Sequence, residues 1–75
     1  MKFEEAFVFM RQGDMILQLS KPGLLLAITD LHHKWRKPRV GYAVNGQTGT
    51  WYFPVELSSS QLLAEDWASC GKKPD

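Results

Sequence analysis

A lone cysteine in a chain of 75 residues sets the first condition on folding: Cys70 has no intrachain partner, so no disulfide can staple the domain. A domain of this size buries only about 60% of the surface its unfolded chain exposes, so its core is marginal. The chain must hold itself together by apolar contact, and it is supplied for that. Hydrophobic residues make up 44% and aromatic residues 12%, too much for a disordered chain. One domain is the ceiling, expected over residues 1–70, with the polar segment 71–75 as a flexible tail. Further stability is expected from sister subunits, in a dimer or tetramer.

Periodicity gives the elements. Phe3, Ala6, Phe7 and Met10 recur at helical spacing, so residues 2–12 read as a helix, with Glu4 and Glu5 in its first turn and Arg11 in its last. Gly13 follows as a residue able to take positive φ and end the helix. Alternation from Asp14 to Ser20 predicts a strand. Lys21-Pro22-Gly23 reads as a type II turn, and residues 24–29 as a second strand that is buried on both faces or covered by a partner subunit. Residues 40–45 form a third strand, Asn45-Gly46 a hairpin signal, and residues 50–55 a fourth strand that Pro54 confines to an edge. Ser58 and Gln61 fit a capping box for a short helix to about Glu65. Residues 66–69 either extend that helix or close the sheet. The expected class is α+β: an N-terminal helix packed on a small antiparallel sheet of four to five strands, with a short C-terminal helix.

Charge is unevenly spread. Nine Lys and Arg oppose eight Asp and Glu, net +1. Residues 32–39 (His-His-Lys-Trp-Arg-Lys-Pro-Arg) hold four of those bases and no acid, which leaves a body of net −3 carrying a +4 segment. Guanidinium forks match phosphate or carboxylate oxygens, and an indole stacks on a planar ring. His33, Lys34, Trp35, Arg36 and Arg39 are therefore candidate contacts for a phosphorylated, nucleotide-derived ligand. Lys37 adds to the field, and His32 or His33 could donate to a phosphate. Trp51, in the run Trp51-Tyr52-Phe53, either packs in the core or an interface or stacks on the ligand. Asp66 is either a capping acid or one that holds a ribose hydroxyl.

Other chemistry is poorly served. His32 and His33 are the only histidines and point oppositely on an extended chain, so no metal site or cofactor is expected. No orienting histidine stands near Cys70 in the sequence, Glu65 and Asp66 do not face each other on a helix, and no Gly-rich phosphate loop or nucleophile elbow is present. No catalytic residue is assigned, and the chain is expected not to be an enzyme. The acidic body argues against nucleic acid as the partner. Met1–Glu5 lacks the apolar pattern of a secretory signal, and the longest apolar run, Leu24–Ile28, is far too short to span a bilayer. A cytoplasmic protein is the expectation, with no membrane partner.

The segment Ser60-Gln61-Leu62-Leu63-Ala64-Glu65-Asp66-Trp67 resembles the closing motif S-x-x-D-L-L-A-x-D-W of the Thoeris anti-defence 2 family of small phage proteins. Phe3-Glu4-Glu5-Ala6, with Met10, Gly13 and the strand after it, is similar to that family's opening. The hairpin from Tyr42 to Trp51 sits where the family has a comparable one, so the likeness spans residues 2–69. It implies a compact α+β homo-oligomer in the host cell cytoplasm that sequesters a cyclic ADP-ribose-like signal at a subunit interface without cleaving it. A host defence effector or nuclease, bound through residues 32–39, is the alternative partner, because inhibitors of CRISPR nucleases occur among the relatives. The chain departs from the family where an R-x-G-W stretch usually supplies the ring-stacking tryptophan. Residues 18–23 here hold neither Arg nor Trp, which leaves Trp35 or Trp51 to replace it.

Overall fold

The computed structural model describes residues 1–74. The N-terminal periodicity becomes helix α1, Phe3–Arg11, with the Lys2 N–H donating to the Glu5 carboxylate at 3.0 Å across the first turn. Gly13 takes φ +97° just past its end, as the sequence requires, and its N–H donates to the Met10 carbonyl at 3.0 Å. Four strands follow: β1 (Asp14–Gln18), β2 (Lys21–Thr29), β3 (Arg39–Val44) and, after the short helix α2 (Ser59–Leu63), β4 (Trp67–Lys72). They form one antiparallel sheet in the order β3-β2-β1-β4. This is the expected α+β class, with four strands.

Register explains the core. Ile16, Leu26 and Tyr42 lie side by side on the face that meets α1, where Ala6, Met10, Ile16, Leu26 and Trp67 make the buried cluster. On the opposite face Leu17, Leu25 and Ala43 align. There Phe53 packs so closely on Gly41 that a Cβ at Gly41 would stand 2.8 Å from a ring carbon. Leu25, Leu26 and Ala27 are all buried, so β2 is covered on both faces, as its unbroken apolar run predicts.

Three expectations change. The β1–β2 turn falls at Leu19-Ser20, while Lys21-Pro22-Gly23 belongs to β2. Asp66 decides this: its carbonyl accepts the Leu19 N–H at 2.8 Å and its carboxylate the Ser20 N–H at 2.9 Å. Pro22 is tolerated because the β2–β3 pairing starts only at Leu24. The strand expected over residues 50–55 shrinks to one bridge, Tyr42↔Tyr52. Pro54 has no N–H to extend it, and the Trp51 indole turns to the Thr48 carbonyl at 2.9 Å. Of residues 66–69, which read as either helix or closing strand, Trp67–Ser69 enter β4, and that strand runs on through Gly71 and Lys72, past residue 70.

The capping box forms as expected, with the Ser58 hydroxyl accepting the Gln61 N–H and the Ser58 N–H donating to Gln61 Oε1. The Gln61 carbonyl then accepts the Trp67 indole N–H at 2.9 Å, and Phe3 meets the Trp67 ring edge-on at 5.1 Å. The motif Gln61…Asp66-Trp67 is therefore a clasp that fastens the last strand to the helix and the first turn. β4 contains a bulge, two residues (Cys70, Gly71) facing the single Met15, and Gly71 adopts φ +92° there. No helix among the described residues is long and apolar enough to cross a membrane.

Candidate binding surface

The basic segment is the crossover from β2 to β3, and its base is pinned. Thr29 and Arg39 are cross-strand partners, and the Thr29 hydroxyl donates to the Arg39 carbonyl at 3.2 Å. Asp30 takes φ 57°, a left-handed value that Asp tolerates better than bulkier residues, and its carbonyl accepts the His33 N–H at 3.2 Å. His33 Nδ1 in turn accepts two backbone N–H groups, from Trp35 and Arg36, each at 3.0 Å. The imidazole therefore acts as an Asx side chain does in a turn, and its role requires an unprotonated Nδ1.

The outcome is a stapled loop that thrusts Trp35 outward, 83% exposed. Lys34 Nζ lies 5.7 Å from its ring centroid, and Lys37 and Arg39 are exposed beside it in sequence. Arg36 reaches Asp30 at 3.9 Å, a long ion pair on an exposed side chain that leaves the guanidinium free for another anion. Arg39 is laid on Phe53, with its guanidinium carbon 3.8 Å from the ring centroid.

Two clefts flank the base of the loop and share Ile28 and Leu31. One, of about 360 Å³, is bordered by Asp30, His32, His33 and Lys73. The other, of about 440 Å³, is bordered by Phe7 and Arg11 of α1 and by Pro38, Arg39 and Val40. Arg11 and Lys73 escape a sequence reading, because one looks like a helix-end cation and the other like tail. Only the fold brings them beside the β2–β3 crossover.

The candidate residues separate into groups. His33, Lys34, Trp35 and Arg36 share the loop, and Arg39 opens β3 at its base with its guanidinium on Phe53. Trp51 is partly buried, its indole N–H bonded to Thr48 and one cation, Lys73 Nζ, 5.4 Å from its ring. Trp51 lies outside the buried cluster, and Trp35 is the more exposed of the two rings. Asp66 stands at the β1–β2 turn, at the opposite end of the sheet from the loop, where the Ser20 hydrogen bond holds its carboxyl below the usual range. Its observed partner is the Ser20 N–H, 46 positions away in sequence.

No group of three or more His, Cys, Asp or Glu among the described residues is placed to hold a metal ion. Partial burial pushes the Cys70 thiol up, the reverse of an activated nucleophile. Compared with known proteins, the chain matches no family model, no curated protein and no solved structure.

Proposed function

We propose that the chain is a binding protein that captures a phosphorylated, nucleotide-derived anion through the stapled loop between β2 and β3. One observation carries this reading: Trp35, 83% exposed, is presented among cations by a loop whose own hydrogen bonds hold it in place. Exposing an indole forgoes apolar burial, and preordering the loop lowers the entropy cost of binding. An anion with a planar ring uses both parts: ring on indole, phosphates on Lys34, Arg36 and Lys37. The likeness to the Thoeris anti-defence 2 family supplies the biological setting, sequestration of a cyclic ADP-ribose-like signal in an infected host. Capture by occupancy needs no nucleophile. A second copy of the chain would cover the outer side of the loop and complete the site.

Calorimetry on the folded chain with cyclic ADP-ribose isomers and cyclic dinucleotides tests the proposal. The expected result is saturable heat that Trp35→Ala abolishes and that weakens as salt rises. A heat-free titration with every member of the panel would remove the reading.

One observation favours a second reading. Trp35 borders neither flanking cleft but projects from the surface, as an anchor residue does at a protein interface. The partner would be a defence effector or nuclease with an acidic pocket. Recovery of a host nuclease by the wild type, lost on changing Lys34, Arg36, Lys37 and Arg39 to Glu, separates this reading from the first.

A further inference from the structure

We infer that the cleft between α1 and the β2–β3 crossover binds a small amphiphilic anion, its apolar body on Ile28, Leu31 and Val40 and its acidic head on Arg11. The site is distinct from the exposed indole. Its floor is built from three parts of the chain: Phe7 from α1, the cross-strand pair Ile28 and Val40, and Leu31 from the crossover. Phe7, Ile28 and Val40 each pack against the buried cluster from below and stay partly open above, so the floor is firm. Pro38 adds a rigid wall. The volume, about 440 Å³, lies within the range of small-molecule sites.

The charge at the rim selects the occupant. Arg11 follows Phe7 by one helical turn, so its side chain leaves the same face of α1. It is exposed, and no carboxylate among the described residues lies within ion-pair distance of it. No acid borders this cleft. Arg39 contributes to the wall, but its guanidinium is committed to Phe53. The neighbouring cleft differs, since Asp30 borders it and would repel an anionic head. Water on an apolar floor finds few partners, so an apolar body displaces it at little cost. A single guanidinium at the mouth then fixes a carboxylate or a phosphate monoester by a charge-assisted, two-pronged contact.

Isotope-labelled full-length protein titrated with decanoate and with 2-naphthyl phosphate, below micelle-forming concentrations, tests the inference. Decanol and 2-naphthol serve as neutral counterparts. Saturable shifts are expected at the amides of Phe7, Arg11, Ile28 and Leu31. Each anion should bind about tenfold or more tightly than its neutral counterpart, the scale of one charge-assisted contact. Arg11→Met keeps the aliphatic stem and should erase that preference, and Arg11→Lys should keep most of it. Circular dichroism establishes that both variants are folded, as expected for an exposed helix-end position. Equal binding of anion and neutral analogue, an unchanged preference in Arg11→Met, shifts confined to other surfaces, or a response only to anionic vesicles would each overturn the assignment. Nucleotide capture is read on Trp35→Ala, and decanoate, which has no ring to stack on an indole, reads this cleft alone, so the two proposals fail separately.

Discussion

Asp66 Oδ2 accepts the backbone N–H of Ser20 at 2.9 Å, tying the β1–β2 turn to the entry of the last strand across 46 positions of sequence. The next residue, Trp67, is 2% exposed in the core, so one dipeptide both fixes a turn and fills the interior. Asp66→Ala should lower Tm and shift the amide resonances of Leu19 and Ser20. Ligand heats measured on the folded fraction should stay at wild-type values. A lost ligand response with an unchanged Tm would place Asp66 in the binding site instead.

Acid should loosen the same clasp. The hydrogen bond from Ser20 lowers the Asp66 carboxyl. The Asp14 carboxyl is lowered chiefly by its hydrogen bond to Lys72, 3.0 Å away, with Ser69 adding a second bond. For a lowered carboxyl the unfolded chain binds the proton more readily, so stability rises with pH across the interval between the two values. The contribution is complete above the unfolded value of about 3.9 and disappears as pH falls through the folded one. Urea midpoints measured from pH 6 to pH 2 should show this acid limb, and Asp14→Asn with Asp66→Asn should flatten it.

Gly41 has no room for a side chain. A Cβ there would stand 2.8 Å from Phe53 Cε1 and 3.3 Å from the Tyr52 carbonyl. Gly41→Ala should cost about 1–3 kcal/mol, the scale of overpacking. Phe53→Leu should relieve part of it, so a double-mutant cycle on urea midpoints should return a coupling of opposite sign to the single losses. Independent losses would place Phe53 away from Gly41.

His33 Nδ1 holds the loop by accepting two N–H groups. Hydrogen exchange at Trp35 and Arg36 should quicken in His33→Ala, while the Trp67 amide, bonded to the Met1 carbonyl at 3.0 Å, keeps its rate. His33→Asn, which keeps an acceptor, should restore much of the protection. Unchanged exchange in His33→Ala would mean that the loop is ordered by other contacts.

Trp67→Ala should remove about 3–5 kcal/mol, as for other large aromatic truncations, against the 5–15 kcal/mol total of a typical domain. Near-complete loss of cooperative unfolding is the expected readout. Trp67→Phe, which gives up only the bond to Gln61 and some volume, should remain folded.

Local signals in the sequence were faithful where neighbours decide the outcome. Gly13 ends α1, and Ser58 with Gln61 starts α2, because each cap is completed within a few residues. The first turn escapes a local reading because Pro22 and Gly23 are strong turn formers and their competitor, Asp66, lies far along the chain. Residues 50–55 alternate like a strand, yet only Tyr52 finds a partner, since Trp51 and Pro54 withdraw from pairing on either side. Of the candidate surface, Trp35 and its cations are legible because they form one contiguous run. Arg11 is not, because α1 and the β2–β3 crossover meet only through the fold.

The Gly71 bulge in β4 has a consequence for dosage. A protein that acts by occupancy neutralises one target per site, so under the proposed reading it must accumulate to numbers matching that target. A flat, unpaired border strand at such concentrations would zip molecules into ribbons. The left-handed Gly71 bends that border at the bulge, a geometry that disfavours edge-to-edge pairing.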